Sequence, residues 1–284
     1  MFCLFRKNLA FITFILAYVL IVFGGYVASS ESGMGCGPEW PLCNGDVIPE
    51  LQGETLIEFG HRFIGLVLFF LTITLFIMVK KESDLAQPRS VANWMLGLFI
   101  LQLVMGAIVV FYHLPSIIIT IHLLIAFIYL AILIWLWRYS SEKVSLSDNS
   151  WVKRHLSLIS FLLFITIGLG AYVKHQQYGL ACGYLTCGDT ALPKTIPELL
   201  QTVHRLLAII STIYVLIFTY KVTLIPNSRL KGRMILALLV ILLQIIIGVL
   251  TILSFVSIPF AVLHLAVATL LFAIVIEARI MVGE

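Results

Sequence analysis

Long apolar stretches, separated by short polar ones, run through the whole chain. A membrane-spanning helix needs about 20 mostly apolar residues. Eight segments meet this criterion: 8–28, 57–79, 91–112, 118–138, 151–173, 197–219, 233–255 and 258–280. The connecting segments are short, so little of the chain is left for a soluble domain. The pattern predicts an all-α, polytopic membrane protein.

The composition agrees with this pattern. Of the 284 residues, 61% are hydrophobic and 11% are charged, whereas soluble domains average about 25% charged residues. The net charge of +4 is small, and the basic residues do not gather into a patch. A nucleic-acid partner is therefore excluded.

The positions of the basic residues predict the orientation in the membrane. The loops on one side, with the two chain ends, hold Arg6, Lys7, Lys80, Lys81, Arg89, Arg138, Lys143, Lys153, Arg154, Lys221, Arg229, Lys231, Arg233 and Arg279. The opposite loops hold only Lys174 and Lys194. Because positive loops stay in the cytoplasm, we expect both termini to be cytoplasmic and the cysteine-containing loops to be outside.

The second half of the chain repeats the first. "GGYV", a cysteine loop and "EFGHR" (58–62) are followed later by "GAYV", a second cysteine loop and "QTVHR" (201–205). Gln102, Gly106 and His122 recur at a constant offset of 142, as Gln244, Gly248 and His264. Each half holds four spans, an even number, so both halves keep one orientation. We expect two pseudo-symmetric four-helix bundles in parallel repeat, residues 1–140 and 141–284.

One histidine stands near the start of every second span: His61, His122, His204 and His264. These four spans begin on the same side, so the imidazoles lie at similar depth, two in each bundle. Two facing imidazoles suit axial ligation of a haem iron. Zinc would need three or four protein ligands. Copper, or a simple hydrogen bond to a neighbouring helix, remains an alternative.

Two further residue types accompany the histidines. Arg62 and Arg205 directly follow His61 and His204, where they either pair with haem propionates or extend to the membrane interface. Gly106 and Gly248 lie one turn from the two glutamines on the same helix face. A missing side chain there either admits a ring or allows close helix packing.

The halves differ at one position of the repeated motif. Glu58, three residues before His61, corresponds to Gln201 in the second half. A carboxylate beside a metal site can relay protons, whereas an amide cannot. The alternative is a solvated residue in the first helical turn. The difference favours chemistry in the first half and a resident cofactor in the second.

Four of the five cysteines form two pairs, which lie in two of the outer loops. Cys36 and Cys43 lie in "GCGPEWPLCNG", and Cys182 and Cys187 lie in "ACGYLTCGD". Disulfides persist outside the cytoplasm, and neither spacing is the CxxC of thioredoxin-like sites. Both pairs are interpreted as loop staples. A redox-active Cys36–Cys43 pair that controls substrate delivery is the alternative.

Taken together, these features resemble the haem A synthases, in particular the bacterial type with cysteine pairs in two outer loops. The resemblance covers nearly the whole chain. It rests on "ESGMGCGPEWPLCNG" (31–45), on the E-x-x-H-R motif at 58–62, and on the three further helix-opening histidines.

The resemblance implies conversion of haem O to haem A in a bacterial cell membrane, by oxidation of a porphyrin methyl to a formyl group. It implies that His61 and His122 hold the substrate haem, with Glu58 as the catalytic carboxylate. His204 and His264 would ligate a resident haem b. The Cys36–Cys43 disulfide would serve substrate handling, and Cys182–Cys187 would be structural. Haem O synthase and an electron donor, such as a quinol, are the expected partners.

Two bound histidines would leave no position for dioxygen on the substrate iron. Either one histidine is labile or the oxidation takes place at the porphyrin edge, and the sequence leaves both open. A dihaem b-type cytochrome that only carries electrons from a quinol is the main alternative function. A transporter with parallel repeats is a weaker one, because the spans contain little internal proline.

Overall fold

The computed structural model describes residues 2–82, 86–139, 149–183, 187 and 192–282. Within these residues, eight long α-helices account for nearly all regular structure, and no strand is present apart from an isolated bridge between Cys43 and Asp46. The helices are α1 (Phe2–Ser29), α2 (Gly53–Glu82), α3 (Ala86–Phe111), α4 (Ser116–Arg138), α5 (Asn149–His175), α6 (Ile196–Thr223), α7 (Ser228–Leu253) and α8 (Ile258–Met281).

All eight helices are long and apolar enough to cross a membrane, as the sequence predicts. The ends expected at about residues 112 and 255 agree with the structure to within one or two residues, since α3 ends at Phe111 and α7 at Leu253. Two consecutive left-handed residues stop each helix: His113 and Leu114 after α3, and Phe255 and Val256 after α7, with φ between 54° and 61°. Hydrophobicity alone does not reveal this stop, since three of these four residues are apolar.

The chain divides into two compact units, residues 1–140 (unit 1) and 141–284 (unit 2). The boundary itself lies outside the described residues. In unit 1, α1 packs against α2 and α4, and α3 packs against the same two helices. The four helices therefore form a ring in which α2 and α4 stand diagonally opposite. Unit 2 repeats this order, so α6 and α8 are its diagonal helices.

At one end of each unit, a short 3₁₀ turn leads into the cysteine loop; we call this the loop end. The turns are Ser32–Met34 and Tyr178–Leu180. Each turn packs against the left-handed connection described above: a Cβ on Gly33 would lie 3.2 Å from Leu114, and one on Gly179 would lie 3.1 Å from Val256. Glycine thus lets the loop approach the connection between the third and fourth helix of each unit.

The start of α6 is fixed by its own sequence. Thr195 caps the helix by accepting a hydrogen bond from the backbone N–H of Glu198, whose side chain accepts one from the N–H of Thr195. Pro197 occupies the first turn, where its missing N–H is not needed. This reciprocal cap sets the register of α6, which carries Gln201 and His204 toward the interior of unit 2.

Candidate functional site

The structure brings the four predicted histidines together in pairs, one pair in each unit. His61 on α2 and His122 on α4 lie near enough for their charges to interact, and so do His204 on α6 and His264 on α8. Each pair comes from the two diagonal helices of its ring. Each unit therefore carries one imidazole on either of its two diagonal helices, within the range of electrostatic interaction.

Every one of the four imidazole rings lies against a glycine of a neighbouring helix. The pairs are Gly24 with His61, Gly106 with His122, Gly170 with His204 and Gly248 with His264. A Cβ on these glycines would lie 3.1, 3.6, 2.6 and 3.0 Å, respectively, from the nearest ring atom. The predicted role of Gly106 and Gly248 in admitting a ring thus has a concrete form, since the nearest ring is the imidazole itself. Glycine leaves room for each imidazole between adjacent helices.

The four histidines lie in a band of half-buried residues, which also includes Gln102, Gly106, Gln244 and Gly248. Farther from the loop end, the side chains at the core positions of all four helices are buried. In unit 1 these include Ala92, Met95 and Phe99 on α3 and Phe127, Leu130 and Leu133 on α4. The histidines of unit 1 therefore lie between this buried core and the loop end.

At the loop end of unit 1, Glu58 joins the cysteine loop to the helix that carries His61. Its side chain is buried, with 4% of the residue exposed. One carboxylate oxygen accepts a hydrogen bond from the backbone N–H of Cys36 at 2.8 Å. The other accepts two from the guanidinium of Arg62, at 3.1 and 2.5 Å. Glu58 is thus neither solvated nor a simple helix-start residue.

Arg62 also contacts the cysteine loop. Its Nη1 donates hydrogen bonds to the backbone carbonyls of Leu42 at 2.8 Å and Glu39 at 3.4 Å. A further bond, from the hydroxyl of Thr55 to the carbonyl of Gly35 at 2.8 Å, attaches the loop to the first turn of α2. The loop of unit 1 is therefore held by hydrogen bonds to both members of the Glu58–Arg62 ion pair and by a neutral hydrogen bond from Thr55.

Unit 2 docks its loop at the same positions, with the neutral amide of Gln201 in place of the carboxylate of Glu58. The side-chain oxygen of Gln201 accepts a hydrogen bond from the backbone N–H of Cys182 at 2.5 Å, and its amide nitrogen donates to the carbonyl of Gly179. Arg205 donates to the carbonyl of Gly183 at 3.0 Å. Glu58 and Gln201 therefore share one contact, to the N–H of the first cysteine, and differ in charge.

Both cysteine pairs are joined as disulfides. The Cα atoms of Cys36 and Cys43 are 4.3 Å apart, and those of Cys182 and Cys187 are 4.1 Å apart. All four cysteines are buried. Each bridge closes its loop directly over the first turns of α2 or α6, which carry the Glu58 or Gln201 contact.

Sequence analysis does not identify Gly24 and Gly170 as site residues, although the sequence contains a signal for both. Gly24 and Gly170 are the first residues of "GGYV" and "GAYV", which were recognised only as markers of the repeat. Among the described residues, no group of three or more His, Cys, Asp or Glu side chains is arranged to hold a metal ion. Each unit therefore offers a pair of imidazoles rather than a larger ligand set.

Comparison with known proteins gives relatives along nearly the whole chain. A protein named "Heme A synthase" from Bacillus licheniformis is 28% identical over 294 residues, covering 98% of this chain and 96% of the relative. Proteins of the same name from Staphylococcus saprophyticus and Macrococcus caseolyticus are 27% and 30% identical, covering 95% and 94% of this chain and 94% of each relative.

A family model also matches the chain, in two overlapping segments. The model is COX15-CtaA, described as cytochrome oxidase assembly protein, and it matches residues 7–55 and 50–276. The matched segments contain both cysteine loops, Glu58 and all four histidines. By these matches, the chain belongs to the COX15-CtaA family of cytochrome oxidase assembly proteins.

Proposed function

We propose that this protein is a haem A synthase, which oxidises a methyl group of haem O to the formyl group of haem A. The relatives that carry this name align over 94–98% of the chain. The observation that carries the proposal is the duplicated pair of imidazoles. In each unit the two rings approach from diagonal helices, with a glycine behind each ring and a half-buried band around them.

This arrangement fits a flat macrocycle ligated on both faces. A haem in a helical bundle is held by imidazoles and surrounded by apolar side chains, and the histidine pair of each unit would hold one in this way. A site for zinc would need further ligands. When bound, haem b supplies a one-electron carrier. His204 and His264 would hold this group in unit 2, and His61 and His122 would hold the substrate haem O in unit 1.

Glu58 supports the assignment of the reaction to unit 1. Gln201 docks the loop of unit 2 through the same contact without any charge, so loop docking alone does not require a carboxylate. Oxidation of a methyl to a formyl group removes hydrogen from carbon and adds oxygen, so protons and electrons must leave the site. A buried carboxylate one turn from His61 can take up such protons. We therefore propose Glu58 as the catalytic carboxylate.

The loop end is the proposed entrance for the propionate edge of each haem. Arg62 and Arg205 directly follow the helix-opening histidines, and their positive charge favours propionates at that depth. We propose that this end faces outward in a bacterial cytoplasmic membrane, with both termini inside, on the basis of the loop charges. Haem O synthase and a quinol-type electron donor are the proposed partners.

The test is extraction of the haems from the detergent-purified protein, made in cells that supply haem O, with identification by chromatography and mass spectrometry. The proposal expects haem B together with haem O, haem A or a hydroxylated intermediate. His264→Ala should lose haem B, and His61→Ala should keep haem B and form no haem A. Haem B alone in every preparation would instead favour a dihaem cytochrome that only carries electrons.

A further inference from the structure

The two histidines of unit 2 each have a hydrogen-bonding partner at a ring nitrogen. Nδ1 of His204 lies 3.1 Å from the backbone carbonyl oxygen of Thr166. A carbonyl can only accept, so Nδ1 must carry the proton. Nε2 of His204 is then left with its lone pair, which is the form in which an imidazole binds a metal.

Gly170 makes this contact sterically feasible. Thr166 stands one turn before Gly170 on α5, and its carbonyl accepts the hydrogen bond from the imidazole. A Cβ at position 170 would lie 2.6 Å from Cε1 of His204, a separation that real side chains do not show. The imidazole reaches the carbonyl only because no side chain stands between α5 and α6 at this point.

Gln244 is the corresponding partner of His264. Its amide nitrogen lies 3.2 Å from both ring nitrogens, so it can bond to only one at a time. If Nε2 binds iron, Nδ1 carries the proton, and the amide must then present its oxygen. A half-turn of the amide exchanges oxygen and nitrogen without changing the shape of the side chain. It also supplies a donor to Oε1, which is buried and unbonded as it stands.

Unit 1 has the same residue types at the repeated positions but not the same bonds. Gln102 corresponds to Gln244, and His122 to His264. Both Oε1 of Gln102 and Nδ1 of His122 are buried without a hydrogen-bonding partner. Within the part of unit 1 that the structure describes, no hydrogen bond reaches a ring nitrogen of His61 either. The imidazoles of unit 1 are therefore less constrained in orientation than those of unit 2.

We infer that Thr166 and Gln244 are positioning residues, which hold the Nδ1–H of His204 and His264 so that Nε2 of each faces the iron of a permanently bound haem. Histidine ligands usually donate their second N–H to such a partner, which fixes the orientation of the ring and raises its basicity. Unit 1 lacks these bonds, so one of its histidines can leave the iron and its haem can exchange. The inference rests on the proposed function and explains how one fold retains one haem and releases another.

The experiment compares Gln244→Leu with its matched control, Gln102→Leu, in the full-length protein purified with its haems. The release of haem B is followed by transfer to excess apomyoglobin, and the midpoint potential is measured by spectroelectrochemical titration. Loss of an outer partner typically lowers metal affinity about 10–100-fold. We expect Gln244→Leu to release haem B faster by about that factor and to raise its potential. Gln102→Leu should leave haem B unchanged.

Gln244→Glu distinguishes a positioning role from simple packing. A carboxylate accepts from Nδ1–H more strongly than an amide does, so it should make the imidazole a better donor to ferric iron and lower the potential of haem b. A packing defect would not shift the midpoint potential of haem b in opposite directions in the Leu and Glu variants. Unchanged release and potential in both variants would overturn the inference, as would an equal effect of Gln102→Leu on haem B.

Failure of the inference is separable from failure of the proposed function. His264→Ala must first be shown to lose haem B. If it keeps haem B, the proposed ligand assignment is wrong. If it loses haem B while both Gln244 variants behave as the parent protein does, only the positioning role is refuted.

Discussion

The loop ends of unit 1 and unit 2 have the same scaffold and different chemistry. In both units, a side chain of the second helix in the ring accepts a hydrogen bond from the N–H of the first cysteine, and a histidine follows one turn later. In unit 1 this side chain is Glu58, paired with Arg62; in unit 2 it is the neutral Gln201. In unit 2 both imidazoles have hydrogen-bonding partners, whereas in unit 1 the buried Nδ1 of His122 has none.

This comparison separates what the fold requires from what the reaction requires. Under the proposed function, features that occur in both units, such as the glycine behind each imidazole and the disulfide over the helix start, serve the binding of a haem. Features that occur in only one unit are the ones that can explain whether its haem reacts and leaves or stays bound. A charged group beside less constrained ligands suits a substrate that reacts and leaves. Neutral groups beside anchored ligands suit a cofactor that stays.

The largest expected effect comes from removing the charge that distinguishes the units. Glu58→Gln gives unit 1 the residue of unit 2, so the hydrogen bond to the N–H of Cys36 can persist while the proton acceptor is lost. Because general acid–base groups contribute about 10²–10⁴-fold to rate, haem A formation should fall by about that factor. The measurement is haem A per mole of protein in cells that supply haem O.

The reciprocal change is the control. Gln201→Glu places a carboxylate in unit 2, to which the proposed function assigns no oxidation, so it should not increase haem A formation. Glu58→Gln should also keep its content of haem B. A fully active Glu58→Gln variant would show that the carboxylate only docks the loop.

A second, smaller effect is expected from a series of glycine substitutions. Gly170→Ala and Gly248→Ala place a methyl group 2.6 and 3.0 Å from the imidazoles of unit 2. Overpacking of this kind costs about 1–3 kcal/mol, and 1.4 kcal/mol corresponds to about tenfold in affinity. Haem B content should therefore fall for both variants, and fall further for Gly170→Ala.

Unit 1 and the remaining glycines provide the controls for this series. Gly106→Ala should be nearly neutral for haem O binding, because its methyl group would make an ordinary contact at 3.6 Å. Gly97→Ala and Gly232→Ala meet nothing within 4 Å and should leave both haems unchanged. Equal haem B loss in Gly170→Ala and Gly232→Ala would refute the steric explanation and indicate a general effect on the helices.

The sequence predicts the helices and the repeat well, because both depend on local composition and spacing. The eight spans follow from runs of apolar residues, and the repeated positions of the four histidines follow from residue offsets. The contacts of Glu58 and Gly24 cannot be predicted from such local patterns. Glu58 shares a helix face with His61, but the position of Cys36, 22 residues earlier, decides where its oxygens bond. The role of Gly24 requires knowing that α1 packs beside α2.

The smallest expected effect lies deeper in unit 1, where the two diagonal helices are joined by a buried hydrogen bond. The hydroxyl of Thr72 donates to the carbonyl of Leu68 at 2.7 Å, so the 2.5 Å bond between Thr72 and Tyr129 must use the proton of Tyr129. Unit 2 has Val215 and Leu271 at the repeated positions, both buried. Interhelical hydrogen bonds in membrane proteins average about 0.6 kcal/mol.

Tyr129→Phe should therefore lower the free energy of unfolding by about 0.6 kcal/mol, measured by denaturant titration in mixed micelles, and leave both haems in place. Thr72→Val should cost more, about 1–3 kcal/mol, because it leaves the hydroxyl of Tyr129 buried without a partner. Adding Tyr129→Phe to Thr72→Val should then recover stability, since the pair would become apolar as in unit 2. If Tyr129→Phe instead changes haem O binding, the difference between the units extends beyond the loop end, and the deep bond belongs to the substrate site.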